Sequence, residues 1–206
     1  MTALPKDVYL DLMKTIRRRL DLVETLRSSQ LDDFAKAETA AFHGRKTVEG
    51  IAFGCLVATE NSINHVPRDA RGQWNAEAIL KSLTSKKLTT FPSPSIIRLP
   101  TSEEHTQHNV KSVVEGVAER RLTQEELIDI YQRFHKWLHE VNPYIEQDHA
   151  AFCAKNGASL WDDLQRLNAF IERHVISFSG EGFFCVLRDK QDGYTKLISI
   201  SKVASL

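Results

Sequence analysis

Residues 123–144 read TQEELIDIYQRFHKWLHEVNPY. Thr123 and Glu126 have the spacing of a capping box, in which a hydroxyl and a carboxylate satisfy free amide donors at a helix start. Leu127, Ile130, Tyr131, Phe134, Leu138 and Val141 then recur at three-and-four spacing, so one face is apolar. Asn142-Pro143 is predicted to end the helix. Arg133, His135, Lys136 and His139 fall between the apolar positions. Such a group either forms the wet edge of a packed helix or binds something anionic.

Outward from this helix the same period recurs. From Pro5 to about Ser28, Tyr9, Leu12, Met13, Ile16, Leu20 and Val23 form an apolar row, with Pro5 suited to a first helical turn. A second helix is predicted from Asp32 to about Glu60. Arg45 and Glu49 lie one turn apart on it and read first as a structural ion pair, secondarily as support for a site. Ala40, Ala41, Gly44, Gly50, Ala52 and Gly54 there imply close helix–helix approach. Residues 61–73 read as loop and NAEAILKSLTSKK as a short helix. FPSPSIIRLPT, residues 91–101, has three prolines and reads as an extended connector across the bundle. A short helix is expected within Glu103–Ala118. Another is expected from about Ile145 to Ala154, broken at Asn156-Gly157, and a last one capped by Ser159 and carrying Leu160, Leu164, Leu167, Ile171 and Val175. GFFCVLRD and YTKLISISKV are β-type runs joined through Asp192-Gly193, a hairpin turn signal. The chain is therefore expected to be mainly α: an antiparallel helical bundle over residues 1–178, with a small C-terminal β-hairpin over 179–206 packed on it.

Composition narrows the function classes. The 206 residues carry zero net charge, which argues against an avid, non-specific nucleic-acid binder. No apolar run reaches membrane-span length and no signal-peptide core is visible, so no membrane partner is expected. Cys55, Cys153 and Cys185 are odd in number and widely spaced, which fits a reducing, cytoplasmic setting. The nine glycines form neither a GxxxxGK nor a GxGxxG loop, so nucleotide hydrolysis and dinucleotide redox chemistry have no support, and no cofactor is expected.

Arg133 and His139 form Arg-x(5)-His, a spacing that chance also supplies here: Arg98 and His105 match the looser pattern across Pro100. The surroundings are more specific. Tyr131, Arg133, Leu138, His139, Asn142, Pro143 and Tyr144 resemble the late helix of bacterial members of the HEPN superfamily (higher eukaryotes and prokaryotes nucleotide-binding), and FHGRKTVEGIAFGCLVA resembles that family's central helix. The likeness covers roughly residues 30–145. It implies a homodimer whose motif helices face each other, and a metal-independent endoribonuclease acting on RNA as a toxin or phage-defence effector, under an antitoxin or regulatory protein. His139 would be general base, an imidazole being suited to that near neutrality. Arg133 would hold the phosphate. His135, Lys136, Asn142, Tyr144, Arg45 and Glu49 would support them. On an ideal helix Arg133 and His139 point about 120° apart, which a composite dimer site relaxes. The residue after the arginine is polar in many active relatives but is Phe134 here, which keeps open a catalytically silent RNA-, nucleotide- or protein-binding module of the same fold.

Two rival readings concern the same residues. His135 and His139 stand one turn apart, as do His149 and Cys153, and four such ligands could close around zinc. In the second, the histidines and Lys136 are only the solvated side of an amphipathic helix. His43 and His174 read as structural, and Trp74, Trp137 and Trp161 as packing anchors.

Overall fold

The computed structural model describes residues 4–62, 68–87, 90–140, 144, 148–178 and 181–200. Its centre is the long helix α2 (Asp33–Ser62), against which α1 (Pro5–Arg27), α4 (Ala76–Ser85), α6 (Gln124–Lys136) and α7 (His149–Ile171) all pack. Glycines let them come close. A Cβ on Gly44 would meet the Phe134 ring at 2.7 Å, and one on Gly54 would meet the Tyr9 ring at 2.9 Å. The apolar rows named above supply the core: Tyr9, Met13, Ile16 and Leu20 from α1, Leu127, Ile130 and Phe134 from α6, and Leu160, Leu164, Leu167 and Ile171 from α7 are all buried. The capping box at Thr123 and Glu126 is present on both sides.

The chain is mainly helical, but its β component is larger than a hairpin. β1 (Ser93–Arg98), β2 (Val113–Gly116), β3 (Arg173–Phe178), β4 (Glu181–Val186) and β5 (Lys196–Ile200) form one antiparallel sheet in the order β2-β1-β3-β4-β5. The β4–β5 pair is the expected hairpin, and Gly193 at φ +73° occupies its turn. β1 is the supposed connector. Its prolines restrict the pairing without preventing it: only Ser93 and Pro94 face β3, whereas Ser95–Arg98 pair with β2. Within Glu103–Ala118, a second Thr-x-x-Glu box, Thr101 with Glu104, starts α5 (Ser102–His108). Left-handed Asn109 ends it, and the β-branched Val113 and Val114 go into a strand. Residues 61–73 also contain a single helical turn, α3 (Arg68–Arg71).

Three boundaries differ from expectation. α6 ends at Lys136, not at Asn142-Pro143: the chain tightens there, Trp137 and Leu138 bonding back three residues to the Phe134 and His135 carbonyls. The Trp137 indole is buried against Phe34 and Phe152. Asn142 and Pro143 themselves lie outside the described residues. α7 runs unbroken through Asn156-Gly157: its apolar row outweighs a propensity cost of about 1 kcal/mol for the glycine. The expected cap Ser159 sits inside it and bonds the Asn156 carbonyl. Val175 belongs to β3, since the helix gives way after Ile171. Trp74, expected as a packing anchor, is 84% exposed. Among the described residues no helix is long and apolar enough to cross a membrane.

A buried polar contact joins helix α1 to the sheet. His174 on β3 is fully buried, and its Nε2 lies 2.6 Å from the Tyr9 hydroxyl of α1. Its Nδ1 is 2.9 Å from the Ile171 carbonyl, an acceptor only, so Nδ1 carries the proton and Nε2 accepts from the tyrosine. Burial drives the imidazole pKa down to about 4, against which the Ile171 hydrogen bond works only partly. The unfolded histidine binds its proton near 6.5, so the contribution is fully present above that pH. It is lost as pH falls towards 4, amounting to about 3 kcal/mol over that window. Urea unfolding from pH 7 to 4 is expected to show this loss, and His174→Gln to flatten it. Tyr9→Phe leaves the imidazole lone pair unpaired and is expected to cost about 1–3 kcal/mol at neutral pH.

Candidate functional site

Because α6 turns about 100° per residue, its positions from 131 to 135 are dealt to different neighbours. Gln132 faces α4, where it bonds Glu77. Arg133 faces α7, where Nε and Nη2 reach the two carboxylate oxygens of Asp163 at 2.6 and 2.8 Å. Asp163 is buried, and this pairing holds Arg133 firmly protonated, the hydrogen bond acting more strongly than the charge. Tyr131 and His135, one turn apart, face α2 and meet Arg45 there.

Arg45 organises the group. Its Nη1 is 2.5 Å from His135 Nδ1, its Nη2 donates to the Tyr131 hydroxyl at 3.0 Å, and its Nε donates to Glu49 at 3.3 Å. The guanidinium also lies over the Tyr131 ring, 5.0 Å from the centroid. Lys46 reaches the other Glu49 oxygen at 2.6 Å. Two cations thus share one buried carboxylate, leaving an excess of positive charge on this surface. Three of the five N–H donors of the guanidinium are used, which leaves two for a ligand.

His139 completes the group from the turn after α6. Its Nε2 is 3.0 Å from His135 Nε2, with the rings edge to face. An arginine can only donate, so His135 Nδ1 must offer its lone pair and neutral His135 carries its proton on Nε2. That proton points at His139, whose Nε2 is then the acceptor. Desolvation, then Arg45 and His139, lower the His135 pKa and favour this neutral state. His139 is exposed and Lys46 has 40% of its side chain in solvent, so a ligand reaches both from the surface. Two cavities of about 730 and about 480 Å³ lie elsewhere, between α7 and the helices α1 and α2.

The site therefore gathers Arg45, Glu49, His135 and His139 from the sequence reading, but places Arg133 on the opposite flank of the same helix. Lys136 is exposed on the last turn, Tyr144 is 96% exposed, and Asn142 is outside the described residues. Lys46 was legible three residues before Glu49, whereas nothing in the sequence marked Asp163 as the arginine's partner. The zinc arrangement does not assemble. His149 stacks on Phe34 with centroids 3.9 Å apart, and among the described residues no three His, Cys, Asp or Glu side chains gather as a metal site. No family model, curated protein or solved structure matches this chain.

Removing the guanidinium from Arg133 strands the Asp163 carboxylate. Arg133→Ala is expected to lower stability by about 2–3 kcal/mol, solvent at the arginine keeping the loss below that of a dry pair. Asp163→Asn should cost less, and the double variant less than the sum of the singles, measurable in a urea double-mutant cycle.

Proposed function

We propose that the chain is a metal-independent endoribonuclease of HEPN type, with its chemistry centred on Arg45, His135 and His139. The observation that carries this reading is the convergence of two imidazoles and a guanidinium from α2, α6 and the turn after α6, beside a lysine, on an accessible surface. RNA can be cut by its own 2′-hydroxyl, which needs a base, an acid and a cation near the phosphate. The 2′-hydroxyl takes the place of the His135 N–H at His139 Nε2, which accepts its proton as the new 2′-O–P bond forms. The P–O5′ bond breaks, and the 5′-oxygen takes a proton from an imidazolium, supplied by His139 of a facing copy in a homodimer. Products are a 2′,3′-cyclic phosphate and a 5′-hydroxyl.

Arg45 suits the phosphate-binding role better than Arg133. Arg133 is matched by Asp163 and further offset by nearby Asp129. Arg45 and Lys46 together exceed the one carboxylate between them. His135 serves as a positioning residue, fixing Arg45 on one side and orienting His139 on the other.

One observation favours a second reading. Phe134, at the position that is polar in many active relatives, is fully buried against Gly44. On that reading the same surface binds RNA without cutting it. Either way, a toxin or phage-defence role under an antitoxin or regulatory protein would appear as growth arrest on expression, relieved by His139→Ala.

The deciding assay incubates pure protein with mixed RNA in EDTA. His139→Ala is expected to reduce cleavage about 10²–10⁴-fold and Arg45→Ala about 10²–10³-fold. Arg133→Ala, assayed well below its melting temperature, should stay within about tenfold of wild type, since it loses no phosphate contact. Protonating His135 breaks its bond from Arg45, and its lowered pKa places that acid-side loss of activity below pH 6.5. Cleavage that persists in both His139→Ala and Arg45→Ala would remove this assignment. Intact RNA in a stoichiometric complex would favour the silent module.

A further inference from the structure

The outward strip of α2 beside this site carries a side chain that the packing does not explain. Phe42 is 42% exposed, although its neighbours Ala40 and Ala41 are fully buried. Helical geometry places Phe42 and Lys46 about 40° apart on this strip, with the buried Glu49 at its inner edge on the Arg45 side. Arg45 flanks that strip on the α6 side. On the α1 side lies His43, whose ring meets Phe42 edge-on with centroids 5.4 Å apart. Arg19 of α1 reaches His43 Nδ1 at 3.5 Å. The exposed aromatic ring therefore sits between Arg45 on one side and the Arg19–His43 pair on the other, and Arg45 links this strip through His135 to His139.

We propose that Phe42 is a stacking platform for a nucleobase, so that the surface takes single-stranded rather than duplex RNA. This rests on the ribonuclease reading for its catalytic half, but not for the binding itself. Positions three or four apart on a helix are neighbours, with Cβ atoms about 5–6 Å apart. A base lying on Phe42 thus puts its strand beside Lys46 and Arg45. Alternating aromatic faces and cations are how proteins hold single strands without reading sequence, because every base has a π-face and every linkage a phosphate. In a duplex both faces of each base are already stacked, and reaching Phe42 would require the base to leave the helix. Phe42 touches no reacting atom on this account. It is a positioning residue that fixes where the strand enters.

The test uses the full-length chain and a 12-nucleotide RNA with 2′-O-methyl groups throughout, which cannot be cut through its 2′-oxygen. Fluorescence anisotropy is expected to show Phe42→Ala binding this strand about tenfold more weakly than wild type. Phe42→Trp should restore binding to within about twofold, because indole stacks at least as well. The same sequence as a duplex should bind more weakly and be indifferent to both substitutions. With cleavable RNA, Phe42→Ala should raise KM by a similar factor and leave kcat within about twofold. Equal affinity of wild type and Phe42→Ala for the single strand would overturn the proposal, as would equal losses on single strand and duplex. A change of oligomeric state in Phe42→Ala, seen by sedimentation, would overturn it too and make Phe42 a contact between copies. If RNA is never cut but the 2′-O-methyl strand binds in a Phe42-dependent way, the catalytic reading fails and this one stands. Absence of any single-strand binding ends both.

Discussion

The Phe134 ring fills the notch left by the missing side chain of Gly44, and this contact fixes the rotation of α6 about its axis. Once Phe134 points at α2 there, every other position on the helix has a determined neighbour. Tyr131 and His135 fall on one side, within reach of Arg45. Arg133 falls on the other and meets Asp163 of α7. A rotation of one residue, about 100°, would carry Arg133 away from α7 and leave Asp163 buried without a cation. The closeness that Gly44 permits also sets the reach: an arginine and a histidine can touch directly here because the helix axes are near.

Charge and neutrality are divided according to water. In the dry interface between α1 and the sheet the polar contact is between two neutral groups, Tyr9 and His174, each pushed by burial away from its charged form. An ion pair there would carry a desolvation penalty of several kcal/mol per ion. At the margin of the bundle, where Arg45 and Lys46 retain some solvent, a charged triad with Glu49 persists. His135 lies between the two regimes, partly desolvated and facing a cation, so its neutral state is favoured. Falling pH therefore acts on the fold and the site in the same direction. Protons on His174 favour unfolding, and a proton on His135 breaks its hydrogen bond from Arg45.

What the sequence made legible was what local spacing controls. The helices from Pro5, Asp32 and Thr123, the Asp192-Gly193 turn and the Arg45–Glu49 pair all depend on residues within about four positions of one another. The sheet depends on β1 meeting β3 some eighty residues later, and prolines at 92, 94 and 100 concealed it. The Thr101–Glu104 box was as readable as the one at Thr123, but the valines after it look alike in a helix and in a strand at that length. The early end of α6 was hidden because Leu138 and Val141 prolong its apolar period on paper, while the contacts that Trp137 makes there, to Phe34 and Phe152, are long-range. In the site, the His135–His139 spacing was visible, but its joining to Arg45 across ninety residues was not.

A net charge of zero constrains what such a surface can do with an anionic strand. Affinity from counterion release grows with the number of phosphates neutralised, and only a few cations stand beside His139. Binding through Arg45 and Lys46 alone would be weak and only gently salt-dependent. A second copy facing the first would double the cations along the same stretch of backbone, and an aromatic ring beside them would add a contribution that salt does not screen. On the proposed reading, then, the strand is held by geometry more than by field: a base on a ring, a phosphate on a guanidinium, and an imidazole set beside them by its contact with a second histidine.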